Sequence, residues 1–153
     1  MNLKDKNYAE SLLKRIFIGS RLYGFEFGIG RGSIKILFTH QQPLEHQPFT
    51  LWVNMESEWT VVKEEQVYTQ EIPTISEEEM YQHIIELRRK RVVNVSLGEK
   101  APHLLINFED GKTLYLNGHH NQYECWQAGD DDGDGWLVVA MPGDDIAIWE
   151  PEN

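Results

Sequence analysis

The chain has 153 residues, a mass of 17.9 kDa and a formal net charge of −11. This length suits one domain, and the content of 41% hydrophobic and 11% aromatic residues is ordinary for a folded protein. No apolar run approaches the roughly 18 residues of a membrane span, and the negative charge disfavours unaided binding to a phosphate backbone. We therefore expect a single domain, residues 1–153, that binds neither nucleic acid nor membranes.

Two further features concern the compartment and the partner. The N-terminal sequence has no basic segment followed by an apolar core, and Cys125 is the single cysteine, so no intramolecular disulfide can form. These features favour the cytoplasm. Residues 1–75 contain 8 basic and 9 acidic residues, whereas residues 76–153 contain 6 and 16. The excess acid in the second half favours a basic protein partner.

Two segments are predicted to be helices. Residues 5–15 carry a short amphipathic pattern that includes Leu12 and Leu13. Residues 76–79 (SEEE) form a capping box, in which Ser76 can accept a hydrogen bond from the amide of Glu79. The basic residues 88–91 suit the negative end of this second helix.

Most of the remaining chain alternates as β-strands do, and turn residues separate the strands. Residues 30–32 are predicted to close one hairpin, and Asp110 with Gly111 a second. We expect the segment 49–53 to pair with 59–62. The predicted fold class is α+β, mostly antiparallel hairpins with two helices. The predicted strands are 21–27, 34–38, 49–53, 59–62, 92–97, 103–108, 113–116, 123–127, 136–141 and 146–149.

The two halves, residues 5–70 and 76–150, follow a similar order of elements. The segment 49–52 (FTLW) resembles 123–126 (YECW), and 59–62 (WTVV) resembles 136–139 (WLVV). These similarities indicate an internal repeat whose two copies share one core. In this alignment one acidic connector matches another: Asn54, Glu56 and Glu58 correspond to Asp130, Asp132 and Asp134.

The connector of the second half also fits the opening of a calcium loop. Asp130, Asp132 and Asp134 are followed by Gly135, but the position of the bidentate acid is occupied by Met141, whose thioether is a poor calcium ligand. If the chain returns after 142–143, Glu150 lies opposite residue 135 or 136 and could supply the missing carboxylate. The alternative is an acidic turn without metal.

Histidines and the cysteine provide a third hypothesis, an enzyme that uses His119, His120 or Cys125. Adjacent histidines on a strand point to opposite faces, which disfavours a zinc site. The acid at Glu124 disfavours a thiolate at Cys125, so a buried, inert cysteine is the better interpretation. We therefore predict no catalytic residue and no cofactor other than the calcium considered above.

The segments 110–116 (DGKTLYL) and 135–143 (GWLVVAMPG), together with the repeated hairpins, resemble those of small uncharacterised bacterial α+β proteins that include immunity proteins of polymorphic toxin systems. This resemblance implies a non-enzymatic protein that binds and blocks a toxin. An acidic surface suits a basic toxin, because it steers association and occupies the site meant for phosphate. The predicted partner face consists of Asp130, Asp131, Asp132, Asp134, Asn54, Glu56, Glu58 and Glu150.

Overall fold

The structure, a computed structural model, describes residues 1–63, 75–130 and 135–151. Within these residues the chain forms two helices and ten strands in two antiparallel sheets, which confirms the α+β prediction. None of the described helices is long and apolar enough to cross a membrane. The helices are α1 (Leu3–Phe17) and α2 (Glu77–Ile85); the strands are β1 (Arg21–Phe27), β2 (Ile34–Thr39), β3 (Thr50–Met55), β4 (Trp59–Lys63), β5 (Val92–Leu97), β6 (Leu104–Phe108), β7 (Lys112–Leu116), β8 (Trp126–Asp130), β9 (Leu137–Met141) and β10 (Asp145–Trp149).

Each half of the chain gives its fourth strand to the sheet of the other half. The six-stranded sheet has the order β1-β2-β3-β8-β9-β10, and the four-stranded sheet has the order β4-β7-β6-β5. Strand β4 therefore leaves the first half to pair with β7, while β8 leaves the second half to pair with β3. The predicted pairing of 49–53 with 59–62 is wrong, because β3 and β4 belong to different sheets.

The two strands that change sheets, β4 and β8, are called the crossing strands, and their registers are reciprocal. Met55, the last residue of β3, pairs with Trp126, the first residue of β8. Leu116, the last residue of β7, pairs with Trp59, the first residue of β4. Each crossing strand thus begins with a tryptophan opposite the end of the third strand of the other half.

The segments that join helix to sheet repeat the same relation at an offset of 70 residues. The amide of Gly19 donates to the carbonyl of Val92 at 2.9 Å, and the amide of Arg89 donates to the carbonyl of Leu22 at 2.6 Å. Gly19 and Arg89 both have positive φ, 94° and 74°. An approximate twofold relation between the halves would produce such reciprocal pairs, and the internal repeat stays a prediction.

This register corrects the alignment of the halves made from sequence. Trp59 corresponds to Trp126, so its alignment with Trp136 is wrong. The connector 56–58 corresponds to 117–125, whereas Asp130 is the last residue of the crossing strand β8. Aromatic strand residues resemble one another in type, and only the hydrogen-bond register distinguishes them. Strands β9 and β10 extend the six-stranded sheet and have no counterpart in the described part of the first half.

One hydrophobic cluster contains buried side chains from α1, α2 and both sheets. Trp59 and Trp126 are 1% and 0% exposed. The indole N–H of Trp59 donates to the carbonyl of Gly32 at 2.7 Å, and that of Trp126 to the carbonyl of Pro102 at 2.8 Å. A buried indole needs such a partner. Each crossing strand is therefore anchored to the first hairpin of its own half while it pairs with the other sheet.

The second helix is shorter than the sequence suggested. Ser76 accepts a hydrogen bond from the amide of Glu79 at 3.2 Å, which confirms the predicted cap. However, α2 ends at Ile85, and the basic residues 88–91 lie beyond it. The positive φ of Arg89 directs its amide to β1 and is incompatible with continuing the helix.

Candidate functional site

The described acidic residues of the predicted partner face lie at both ends of the six-stranded sheet. Asp130 ends β8, and its amide donates to the carbonyl of Trp136 at 3.2 Å. Trp149 pairs with Leu137, so Glu150 follows opposite Trp136, as predicted. Asp130 and Glu150 therefore share one end of the sheet, two strand positions or about 10 Å apart.

The calcium hypothesis depends partly on residues that lie outside the described chain, namely Asp131, Asp132 and Asp134. The carboxylate of Asp130 lies against Gly135, where an added Cβ would overlap its Oδ1. Among the residues described, no group of three or more His, Cys, Asp or Glu side chains could hold a metal ion. Calcium binding with Glu150 as a ligand stays a prediction.

The other acidic connector lies at the opposite end of the sheet. Asn54 on β3 donates its side-chain amide to Gln127 at 2.8 Å and to Glu56 at 2.9 Å. The amide of Glu56 donates to the carbonyl of Cys125, five residues before Asp130, a separation of about 17 Å along a strand. The structure therefore separates Asp130 from the connector at Glu56, so these two described parts of the predicted face are not contiguous.

The end of the sheet at Glu56 is where the two crossing connectors meet. The amide of Glu56 donates to the carbonyl of Cys125 at 3.0 Å, and the amide of Asn117 donates to the carbonyl of Glu58 at 2.8 Å. The hydroxyl of Ser57 donates to the carbonyl of Asn117. Three residues connect β3 to β4, whereas nine connect β7 to β8.

The longer connector is held in place by the turn of the β9–β10 hairpin. The amide of Gly143 donates to the carbonyl of His120 at 2.8 Å. Next to it, His119 Nδ1 lies 2.5 Å from Asp144 Oδ1. Asp144 has φ of 62°, a conformation that Asp and Asn tolerate better than most residues. Two insertions of the second half thus meet beside the crossing.

A cleft of about 460 Å³ opens between these segments, and we call it the histidine cleft. It combines two carboxylates, two imidazoles, a phenol and one lysine. Its lining consists of Glu58, Lys100, Ala101, His103, Tyr115, Asn117, His119 and Asp144.

His103 is held in one orientation at the floor of the histidine cleft. The amide of Gly118 donates to His103 Nδ1 at 2.9 Å, which leaves the proton of the neutral ring on Nε2. Burial lowers the pKa of His103, although the negative charge of Asp144 acts in the opposite direction. The His103 ring centroid lies 5.6 Å from that of Tyr115. The floor is therefore aromatic, and the neutral form of His103 is favoured there.

A second cleft of about 540 Å³, the tyrosine groove, shares Glu58 and Asn117 with the first. Tyr123 is 65% exposed at its rim, and its ring centroid lies 4.6 Å from that of His120. His120 Nδ1 accepts hydrogen bonds from the amides of Gln122 and Tyr123 at 3.0 and 3.1 Å, so this ring orders the loop. The lining of the groove is Glu56, Ser57, Glu58, Asn117, His120, Tyr123, Glu124 and Cys125.

The cysteine is buried, as predicted, at 1% exposure. Burial raises the pKa of the Cys125 thiol, so the reactive thiolate is disfavoured. His120 uses Nδ1 to hold its own loop, and His119 lines the other cleft. His120 and Cys125 both line the tyrosine groove, whereas His119 does not, so the three residues of the enzyme hypothesis do not all converge on one cleft.

Acidic side chains outnumber basic ones in the combined lining of the two clefts. Their described linings contain four carboxylates and a single lysine, Lys100, with no arginine. The carboxylates belong to Glu56, Glu58, Glu124 and Asp144. Glu56 and Glu58 belong to the predicted partner face, whereas Glu124 and Asp144 do not.

Sequence reasoning did not identify the histidine cleft. His103, His119 and Asp144 come from three separated segments, and only the sheet register brings them together. The sequence singled out His119, but no pattern in it links His119 to His103 or Asp144. The chain matches no known protein family, curated protein or solved structure, so no functional residue can be assigned by similarity.

Proposed function

We propose that this protein is a non-enzymatic binding module for a basic protein, and that it acts as an immunity protein that neutralises a basic toxin. The observation that supports the proposal is the excess of carboxylates over cations in the two adjoining clefts. The contact face we propose is the crossing end of the six-stranded sheet. It replaces a face that would join both acidic connectors.

Charge supports a basic partner in two ways. Acidic clefts with low-dielectric walls concentrate the field and speed association with a cationic protein. Carboxylates that become buried in the complex then contribute through hydrogen bonds to Arg or Lys. Tyr123 adds an exposed aromatic side chain at the rim, of the type enriched in interface hot spots.

The loop that carries these groups is ordered before a partner arrives. The connector 117–125 is bonded to the β3–β4 connector, to the hairpin turn at Gly143, and to His103. A preordered surface loses less conformational entropy when it binds. This favours capture of a folded partner by a rigid face.

A binding role fits the cleft better than catalysis does. The described lining of the histidine cleft contains no Ser, Thr or Cys to serve as a nucleophile beside the His119–Asp144 pair. Cys125 in the tyrosine groove is buried and its thiol form is favoured. The His119–Asp144 pair therefore holds the connector 117–125 against the turn of the β9–β10 hairpin.

Affinity capture from a lysate of the source organism, followed by titration calorimetry with the captured protein, tests this proposal. We expect a basic protein to bind wild type and to lose at least about tenfold in affinity, or 1.4 kcal/mol, with Glu56→Gln, Glu58→Gln and Glu124→Gln combined. A matched control combines Glu26→Gln, Glu45→Gln and Glu78→Gln, which are exposed and lie outside both clefts.

Equal weakening by both triple variants would indicate only general charge attraction and would contradict the proposed face. Capture of a neutral or acidic protein would contradict the proposal itself. Melting curves with and without millimolar calcium test the alternative of a calcium-stabilised domain. An ion that binds only the native state raises the stability of that state.

A further inference from the structure

The histidine cleft is large enough to hold one amino-acid side chain of a bound protein. Its volume of about 460 Å³ lies within the ~300–1,000 Å³ of ordinary ligand sites. It sits beside the tyrosine groove, with which it shares Glu58. A protein bound across the tyrosine groove could therefore place a side chain into the histidine cleft.

The floor of the cleft suits a planar cation. His103 and Tyr115 present two neighbouring rings with an interplanar angle of 36°. The amide of Gly118 fixes Nδ1 of His103 as an acceptor, so the neutral tautomer is favoured and the ring adds no positive charge. An uncharged aromatic surface attracts a cation placed over it, and a guanidinium stacks there better than an ammonium.

The carboxylates of the cleft differ in how far they are already neutralised. Asp144 lies 2.5 Å from His119 Nδ1 and is therefore partly occupied. Glu58 is exposed, and in the part of the chain that the structure describes its carboxylate forms no ion pair. Glu58 is therefore the group best able to bind a guanidinium that enters the cleft.

Lys100 is the one Lys or Arg side chain in the described lining of the histidine cleft, and its positive charge opposes a cation. It lies in the loop between β5 and β6 and is exposed, so its side chain can leave the cleft. Its charge would nevertheless weaken the binding of a guanidinium. Removal of this charge should therefore strengthen the binding of a guanidinium. If Lys100 had only a structural role, its removal would not be expected to increase affinity.

We infer that the histidine cleft binds an arginine side chain of the basic partner, with the guanidinium over the His103 and Tyr115 rings and against the carboxylate of Glu58. This inference rests on the proposed function and adds to it the residue type that the partner inserts. Arginine is preferred to lysine because its planar guanidinium both stacks on rings and forms paired hydrogen bonds with a carboxylate.

The test uses N-acetyl-arginine amide as the probe and NMR signals of the His103 and Tyr115 rings as the readout. We expect saturable shifts with a Kd on the order of millimolar, the affinity of a single small contact. N-acetyl-norleucine amide, an uncharged analogue, should give no such shifts. Glu58→Gln should weaken arginine binding at least fivefold, whereas Glu26→Gln should leave it unchanged.

Lys100→Gln should tighten arginine binding severalfold, with Lys4→Gln, on the exposed face of α1, as the matched control. Absence of shifts at these two rings overturns the inference, and so does equal binding of N-acetyl-lysine amide. If the probe fails but capture of a basic protein still depends on Glu56, Glu58 and Glu124, the proposed function stands without this inference. If the probe binds but no basic protein is captured, the proposed function fails instead.

Discussion

The two crossing strands of this protein are nearly equivalent, whereas the two connectors that lead into them are not. Trp59 and Trp126 occupy the same position, are equally buried and donate to equivalent loops. The connector before Trp59 has three residues, and the connector before Trp126 has nine. The features shared by the halves hold the fold together. The candidate site lies where the halves differ.

The difference has a physical origin. Each crossing strand must form the backbone hydrogen bonds of its sheet, and its buried indole N–H must find an acceptor. These requirements are the same in both halves. A connector at the surface has no such demand and tolerates insertion. The insertion at 117–125 therefore adds His119, His120, Tyr123 and Glu124 without disturbing the exchanged strands.

The largest effect is expected from removing the anchor of a crossing strand. Trp59→Ala and Trp126→Ala should each lower the free energy of unfolding by about 3–5 kcal/mol, because each leaves a large cavity in the shared core. Urea denaturation followed by circular dichroism measures both. Trp149→Ala, at a position 52% exposed, is the control and should cost less than about 1 kcal/mol.

Should an alanine variant fail to fold, the phenylalanine variants retain most of the volume. Trp59→Phe and Trp126→Phe each leave a buried carbonyl without its indole donor, which costs about 1–3 kcal/mol. A large loss at one tryptophan and none at the other would contradict the equivalence of the two strands.

A smaller effect is expected where the long connector meets the β5–β6 loop. A Cβ at Gly118 would overlap the carbonyl of Pro102, so Gly118→Ala should destabilise the protein by about 1–3 kcal/mol. Gly30→Ala, in the turn between β1 and β2, is the control, because the atom nearest to an added Cβ there, the Cβ of Ser33, would be 3.8 Å away. Thermal unfolding of both variants compares these contacts. Equal stability of the two would show that the connector is not held as the structure describes.

The smallest effect concerns the junction between the halves, where Arg21 and Arg91 form an isolated bridge. Glu109 accepts from the Arg91 amide at 3.2 Å and from Arg21 at 3.1 Å. The Arg91 amide is the main cause of the lowered pKa of Glu109, and both guanidinium groups add to it. This stabilisation is present above the unfolded pKa near 4.5 and is lost as pH falls through the lower folded pKa.

Glu109→Gln should therefore be slightly less stable than wild type at about pH 7, and the difference should shrink as the pH falls below the unfolded pKa near 4.5 and through the lower folded pKa. Urea midpoints measured across this range test the expectation. A difference that persists unchanged at acid pH would point to lost packing of the side chain and would contradict the electrostatic explanation.

Much of the fold could be predicted because its signals are local. The Ser76 cap, the Asp110–Gly111 turn and the position of Glu150 opposite Trp136 each depend on residues close in sequence or on one hairpin. The end of α2 was not predictable in the same way. Arg89 leaves the helix to bond β1, a contact that lies 67 residues away in the chain.

The candidate site was predicted only in part. Glu56 and Glu58 were identified as acidic surface residues, but Asp130, which was expected beside them, lies at the other end of the sheet. His103 was predicted only as the start of a strand, and Asp144 was not predicted to be a site residue. The pattern of a single sequence carries no information about contacts between separate hairpins, so the histidine cleft could not be predicted from it.

The sequence by itself determined the alternation of apolar residues, the helix cap, the hairpin turns and the acidic balance, because these depend on neighbouring residues and on composition. Only the tertiary structure decided that β4 and β8 change sheets, since strand edges of similar composition are distinguished by hydrogen bonds formed across the whole chain. That exchange brings the two connectors together. The histidine cleft exists because they meet there with the β9–β10 turn.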